Sequence, residues 1–350
     1  MYNMQKSTVE QRAAAQEIKN GEEDVEARKY SNGTGNQIEG LEIVGAPLGE
    51  GSFGTVFLVR QLIPANCQNR SRGRAKAPTH RYMACKMLNV SKHSADRDLK
   101  EAAWELWLMQ FLSQRAYGDI PIVRMLGAFE SSDGRPCFAM ELCKGGSLLG
   151  VMQNKWRKGG NMTYGEAALA LYNVTRALLF CHKHDILHLD IKPENILLRE
   201  ADTLSTACLG DFGLALPLVA ADDSSDYRVA KECIGRGTPG YCAPEVETDG
   251  ILSMAADTWS LGAVLMEMLT GQLPPAVHDS GSAVSALSQW WSDPHAERLE
   301  DDLRSSILDW NWLDHMAQDL LLAMLCPHFS KRISLQQVLS HPWLIINLPR

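Results

Sequence analysis

The chain has 350 residues, 45% hydrophobic and 22% charged, the composition of an ordinary soluble protein with room for one two-lobed enzyme or two small domains. A formal net charge of -8 speaks against nucleic acid or an anionic membrane as the main partner, because a surface that tracks phosphates needs a basic excess. The nine cysteines are odd in number and form no Cys-x-x-Cys pair, so buried thiols in a reducing compartment are expected, not a disulfide frame or a zinc site.

Met1 to Lys6 has no apolar signal core and no glycine after the methionine, so neither secretion nor myristoylation is expected, and the cytoplasm or nucleus is the default location. Residues 1–38 are polar, with an acidic run at Glu22, Glu23, Asp24 and Glu26, and read as a solvated tail; a regulatory partner docking there is the alternative. Ser7 and Glu10 make a capping-box pair, but Ala13, Ala14 and Ala15 bury too little for that helix to stand alone. Between two β-type runs, Leu41 to Val44 and Val56 to Val59, the chain reads Leu48-Gly49-Glu50-Gly51-Ser52-Phe53-Gly54-Thr55-Val56. Glycines at these spacings let backbone N–H groups approach phosphate oxygens, and the strand that follows, in place of a helix, disfavours a dinucleotide-binding unit.

Residues 63–80 break the sheet pattern with Pro64, Gly73 and Pro78 and carry Arg70, Arg72, Arg74 and Lys76; a solvated insertion loop is expected, a patch for an acidic partner being the alternative. The strand pattern resumes at Tyr82 to Leu88 with Lys86 in it, and a half-buried lysine needs a counter-charge. The next helix, Asp98 to Leu112, offers Glu105 on the apolar stripe with Met109 and Leu112, and Glu101 one turn earlier. Strands at Ile122 to Phe129 and Cys137 to Leu142 lead into Cys143-Lys144-Gly145-Gly146-Ser147, where Cys143 reads as an ordinary packed cysteine. Thr163 and Glu166 are a capping-box pair opening a helix that runs to about His184. There follow His188, Leu189, Asp190, Ile191, Lys192, Pro193, Glu194 and Asn195, then Asp211-Phe212-Gly213. Two carboxylates, an amide and a lysine, with no serine or cysteine nucleophile beside them, suit metal-assisted phosphoryl transfer, and their oxygen donors suit a hard cation. Ser253 to Thr270 is almost continuously apolar, but Asp257 and Glu267 interrupt it, which favours a buried helix over a membrane span.

In this order the motifs resemble the protein-kinase family over about Leu41 to Leu344. The resemblance implies an α+β, bilobal kinase fold over residues 39–345: a small β-rich lobe with one main helix (about 39–143, including the 63–80 insertion), a larger mainly helical lobe (about 144–345), and the nucleotide between them. It implies ATP and Mg2+ as cofactors and a protein bearing Ser or Thr as substrate, with a monomer expected and no nucleic-acid or membrane partner. By resemblance, residues 48 to 56 form the phosphate lid, and Ala84-Cys85-Lys86 matches Val-Ala-Ile-Lys, with Lys86 holding the α and β phosphates. Glu105 is the lysine's partner in the family's register. Met140, Glu141, Cys143 and Leu197 line the adenine pocket, Asp190 is the base, Lys192 neutralises the transferred phosphoryl, and Asn195 and Asp211 hold the metal.

Gly213 to Glu245 resembles the activation segment, with Ser224, Ser225, the Gly235-to-Tyr241 run and the closing Ala243-Pro244-Glu245. Lys192 and the Gly-Thr-Pro-x-Tyr run resemble the serine/threonine branch. The calmodulin-dependent group is the most similar, through His-Leu-Asp, Gly-Gly-Ser-Leu and Ser-His-Pro-Trp-Leu, although no calmodulin-binding tail follows before Arg350. Resemblance also implies that Asp257 accepts backbone N–H bonds from the catalytic loop and that Arg332 pairs with Glu245. Two departures stand out. Leu189 replaces the arginine that contacts a phosphorylated activation segment, so phosphorylation of Ser224 and Ser225 is expected to be dispensable, with Asp222, Asp223 and Asp226 already supplying negative charge. Ser147 stands where some basophilic members have glutamate, whereas Glu194 is retained. A pseudokinase scaffold is the rival reading, disfavoured because Lys86, Glu105, Asp190, Asn195 and Asp211 are all present; a small-molecule phosphotransferase would not carry Ala243-Pro244-Glu245.

Overall fold

The computed structural model describes residues 41–51, 53–63, 79–90, 94–131, 134–218, 227–274 and 312–349. The expectations placed on the 1–38 tail, on Ser52, on all but the ends of the 63–80 insertion, and on Asp222, Asp223, Ser224, Ser225 and Asp226 lie outside these residues. The described chain divides into two compact units, one made of 41–118 with Val123–Lys144, the other of Asp119–Ile122 with the chain from Gly145 onward.

The smaller unit is an antiparallel sheet, β1 (Leu41–Gly51), β2 (Gly54–Ile63), β3 (Thr79–Leu88), β4 (Met125–Glu130) and β5 (Pro136–Met140), in the order β1-β2-β3-β5-β4, with one helix, α1 (Asp96–Arg115). β1 and β2 run further than their apolar runs suggest and close at Gly51↔Gly54, so the glycine-rich stretch is the end of the hairpin itself; register shifts between Ile43, Pro47 and Gly49 absorb its irregularity. One face of the sheet buries Val59, Met83, Cys85, Cys137 and Ala139 as a core. The alternate residues of β3, Ala84, Lys86 and Leu88, are also buried, which the strand's central place in the sheet explains. α1 buries Trp104, Glu105, Leu108, Met109 and Leu112, the stripe read from periodicity.

The strand expected from Ile122 divides differently. Ile122 makes a parallel bridge to Leu209 and Pro121 accepts from the Leu209 N–H at 2.8 Å, so Asp119–Ile122 belongs to the larger unit and β4 starts only at Met125.

The larger unit is mainly helical. β6 (Gly146–Ser147) leads into α2 (Leu148–Arg157), with the Ser147 hydroxyl accepting from the Gly150 N–H at 3.3 Å as its N-cap. α3 (Tyr164–Lys183) opens on the capping box of Thr163 and Glu166. The chain then passes through β7 (Ile186–Leu187), β8 (Ile196–Leu198), β9 (Ala207–Leu209), β10 (Leu216–Pro217) and β11 (Tyr227–Val229) to α4 (Pro244–Asp249) and β12 (Ile251–Ser253). α5 (Met254–Thr270), α6 (His315–Met324), α7 (Leu335–Leu339) and α8 (Pro342–Asn347) complete it. α5 is buried almost all round, from Ala256 to Leu269, the pattern of a central core helix. No helix among the described residues is long and apolar enough to cross a membrane. The two acids that interrupt α5 both have partners: Asp257 takes bonds described below, and Glu267 accepts from the Tyr241 hydroxyl at 2.6 Å.

Candidate active site

In the smaller unit the three lid glycines have different reasons to be glycine. A Cβ on Gly54 would lie 2.6 Å from the Met87 carbonyl oxygen, so close strand packing demands glycine there. A Cβ on Gly49 would meet nothing within 4 Å, and one on Gly51 would meet the Gly54 carbonyl only at 3.9 Å. Neither has a positive φ, so the fold itself gives no reason for these two glycines, whose backbone is left open. Asn89 ties the hairpin end to β3: its N–H donates to the Phe53 carbonyl at 3.1 Å and its side-chain amide to the Gly51 carbonyl at 3.4 Å. Periodicity gave no sign of that tie.

Leu48 is 54% exposed, an apolar side chain the unit leaves uncovered, and Thr55 and Val56 sit opposite Glu50 and Gly49. Ala84 pairs with Met140 across β3 and β5. Past β5, the Glu141 carboxylate accepts from the Arg124 N–H at 2.9 Å and its own N–H donates to the Arg124 carbonyl at 3.0 Å; Cys143 is half-buried. Lys86 lies between Val56 and Phe138 on the flanking strands, and its Nζ reaches Glu105 Oε1 at 2.5 Å with both residues buried. Glu101, the other acid on that face, instead takes Arg97 at 3.1 Å on the surface. A buried ion pair of this kind is a poor source of net stability, but it fixes where the ammonium stands.

In the larger unit the loop between β7 and β8 converges on Asp190. Its Oδ1 accepts the Thr238 hydroxyl hydrogen at 2.6 Å, and its Oδ2 accepts from Asn195 Nδ2 at 2.9 Å and Lys192 Nζ at 2.9 Å. Lys192 Nζ also donates to Thr238 Oγ1 at 2.8 Å. A hydroxyl thus sits between a carboxylate that takes its hydrogen bond and an ammonium beside its oxygen. Thr238, within the Gly-Thr-Pro run, joins this cluster without any sign of it in the sequence, because its partners lie 46 and 48 positions away. His188 is locked by two bonds: Nδ1 accepts the Asp190 N–H at 3.3 Å, so Nε2 carries the hydrogen that bonds the Gly210 carbonyl at 3.0 Å.

The loop hangs from α5. Asp257 Oδ2 accepts the His188 N–H at 3.0 Å and Oδ1 accepts the Leu189 N–H at 2.9 Å, while His182 Nε2 donates to Oδ2 at 2.7 Å. Burial pushes the Asp257 carboxyl upward, but the His182 hydrogen bond and charge and the His188 backbone N–H outweigh it and hold the group below the usual carboxylate range. Asn195 and Asp211 are brought together by the β8–β9 ladder: Ile196 pairs with Leu209, and the Gly210 N–H donates to the Asn195 carbonyl at 2.8 Å. Asp211 is exposed at φ 55°. The Asn195 amide nitrogen is turned to Asp190, bonding its carbonyl at 2.8 Å as well as its carboxylate, so Asn195 presents its oxygen elsewhere. An amide oxygen and a carboxylate are hard donors and fit Mg2+, which keeps most of its waters and takes one or two protein ligands; no group of three or more acidic, histidine or cysteine side chains among the described residues offers a fuller cage. Leu197 is half-buried on β8, opposite Cys208 and Ser147. Further on, Glu245 and Arg332 form a two-armed pair at 2.7 and 2.9 Å.

A family model described as "Protein kinase domain" matches residues 43–344. The Arabidopsis thaliana protein named serine/threonine-protein kinase PEPKR2 is 30% identical over 91% of this chain and 56% of its own length. Calcium-dependent protein kinase 20 of Oryza sativa subsp. japonica is 29% identical over 89% of the chain and 48% of its own, and calcium-dependent protein kinase 10 of Arabidopsis thaliana is 28% identical over 88% and 48%. The chain spans about half the length of the curated relatives it matches. With the lysine–glutamate pair in one unit, the Asp190 cluster in the other and a family model running through both, the chain belongs to the protein kinase domain family.

Proposed function

We propose that this protein is a serine/threonine protein kinase that transfers the γ-phosphoryl group of ATP to a protein hydroxyl with Mg2+. The observation that carries the reading is the hydroxyl of Thr238 held between Asp190 and Lys192, because it shows that the carboxylate accepts a hydrogen bond from an alcohol whose oxygen an ammonium contacts. A substrate serine or threonine needs the same two contacts: the carboxylate orients the hydroxyl and receives its proton, and the ammonium balances charge on the phosphoryl oxygens. In the smaller unit, Gly49 and Gly51 provide the phosphate cradle, Lys86, steadied by Glu105, holds the α and β phosphates, and Leu48, Val56, Ala84, Met140, Glu141 and Cys143 take the adenine. Asn195 and Asp211 would hold Mg2+, which would supply charge that screens phosphate oxygens.

Leu189 supports a second element of the reading. The residue is buried and uncharged, so it offers nothing to a phosphorylated activation segment, and basal activity does not require phosphorylation of Ser224 or Ser225. Incubating purified protein with labelled ATP, Mg2+ and a positional-scanning peptide array tests the function. Label on Ser/Thr peptides, lost with Asp190→Asn, is the expected result; no label on any peptide refutes it.

A further inference from the structure

Arg236 stands between two glycines of positive φ, Gly235 at 72° and Gly237 at 124°, so the chain enters and leaves it through turns that a side chain would strain. Its own backbone is tied on both sides: the N–H donates to the Cys233 carbonyl at 2.9 Å, and the carbonyl accepts from the Cys242 thiol at 3.3 Å. From this fixed base the half-buried side chain runs back 22 positions and gives its Nε–H to the Leu214 carbonyl at 3.0 Å. The donor is charged, and such a bond is roughly twice as strong as one between neutral groups.

The Leu214 carbonyl and the Ala215 N–H are the two ends of one planar peptide unit. The Phe212 carbonyl holds the N–H end at 3.1 Å, and Arg236 holds the oxygen end. With both ends taken, the unit cannot rotate without losing a bond. It closes the turn that starts at Asp211, whose Oδ1 accepts the Gly213 N–H at 3.3 Å. On its other side Arg236 lies two residues before Thr238, the hydroxyl between Asp190 and Lys192. One guanidinium therefore joins the turn carrying the Asp211 carboxylate to the stretch carrying the Thr238 bridge. Leu189, buried and uncharged, supplies no cation to brace this segment from the catalytic loop, whereas Arg236 is a cation within the segment itself.

We propose that Arg236 is a positioning residue for phosphoryl transfer: its Nε–H clamps the Leu214–Ala215 peptide and so fixes the Asp211 turn relative to Thr238. The kinetic consequence rests on the kinase reading, whereas the clamp is observable without any activity. Methionine matches the arginine stem and places a methyl group where Nε stood. Glutamine places an amide N–H at the same number of bonds from the backbone.

The test measures kcat, together with hydrogen exchange at the Ala215 amide and along α5 in nucleotide-free protein, for wild type, Arg236→Met and Arg236→Gln. Arg236→Met is expected to lose on the order of tenfold to a hundredfold in kcat, the scale seen when a support of a metal ligand is removed. Its Ala215 amide should exchange faster than in wild type, with exchange along α5 unchanged. Arg236→Gln should stay within about threefold of wild type in kcat and keep the slow Ala215 exchange, because a neutral donor retains part of the bond. If Arg236→Met is not recovered folded, Arg236→Leu, which also lacks a donor, takes its place with the same expected loss. Wild-type kcat and Ala215 exchange in the donor-less variant would overturn the proposal. So would equal losses in the glutamine and methionine variants, which would mean that the Nε bond is not what acts, or faster exchange along α5 as well, which would mean that Arg236 supports the unit as a whole. A wild type that transfers no phosphate would defeat the kinase reading, while the exchange comparison would still decide whether Arg236 clamps the turn.

Discussion

Replacing Arg332 by methionine should cost far more stability than replacing Glu245 by glutamine, although both changes break the same ion pair. The side chains of both residues are 0% exposed. Arg332 has other acceptors: Nε donates to the Cys326 carbonyl at 2.8 Å, Nη1 to the Ala255 carbonyl at 2.8 Å and Nη2 to the Pro327 carbonyl at 3.4 Å, with the guanidinium 5.1 Å from the Trp259 ring centroid. Among the described residues the Glu245 carboxylate, in contrast, is bonded to Arg332 alone. Arg332→Met therefore strands a fully buried charge and should cost about 3–5 kcal/mol. Glu245→Gln keeps one amide oxygen for Arg332 and should cost about 1–2 kcal/mol. For a unit of this size the first loss corresponds to roughly 6–20 °C in Tm. Urea and thermal unfolding of the two variants, with Glu245→Gln/Arg332→Met as the third corner, measure the difference. The double variant should be more stable than Arg332→Met, because neither charge is then left alone. Equal small losses in the two single variants, or a double variant whose losses simply add, would refute the reasoning.

The lid glycines should separate in the same kind of experiment: Gly54→Ala is expected to destabilise the protein by roughly 1–3 kcal/mol through the Met87 carbonyl, whereas Gly51→Ala is expected to leave Tm within about 2 °C and to weaken ATP binding, read by unfolding and by nucleotide titration. Because the Asp257 carboxyl titrates lower in the folded protein than in the unfolded chain, its stabilising contribution is present above about pH 4 and is lost as pH falls through the folded value; Asp257→Asn should flatten that acid limb in unfolding measured at stepped pH. Glu267 has the opposite sign. Burial raises its carboxyl, with the charge of Glu194 adding to the rise and the Tyr241 bond opposing it, so its ionisation costs folding energy as pH rises through the unfolded pKa toward the folded one; Glu267→Gln should remove that loss in the same series. Ser224→Ala/Ser225→Ala should retain more than about 10% of wild-type phosphate transfer in a steady-state assay, a loss under roughly 1.4 kcal/mol.

What could be read in the chain and what could not divides by the range of the interactions. The capping box of Thr163 and Glu166 is three residues long and formed as read, and the apolar stripe of α1 was visible in its spacing. Spacing alone could not choose between Glu101 and Glu105, which lie one turn apart on the same face; their partners, Arg97 on the surface and Lys86 in the sheet, decide it. The Asp257 anchor and the Arg332–Glu245 pair were available only by family resemblance, since nothing local marks either. The Thr238 bridge and the third donor on Asp257 remained hidden because they join residues 48 and 75 positions apart. β7 and β10 are two residues each, too short to show a period, and Ile122 left the sheet for a bridge to Leu209 that no alternation could announce.

The most direct test of the account is transfer of labelled γ-phosphate from ATP to Ser/Thr peptides by purified protein, comparing wild type with Asp190→Asn, with and without Mg2+. The account predicts Mg2+-dependent labelling by wild type and a loss of about 10²- to 10⁴-fold in the variant, the contribution of a positioned base. Absence of labelling by wild type, or equal rates for the two proteins, would contradict it.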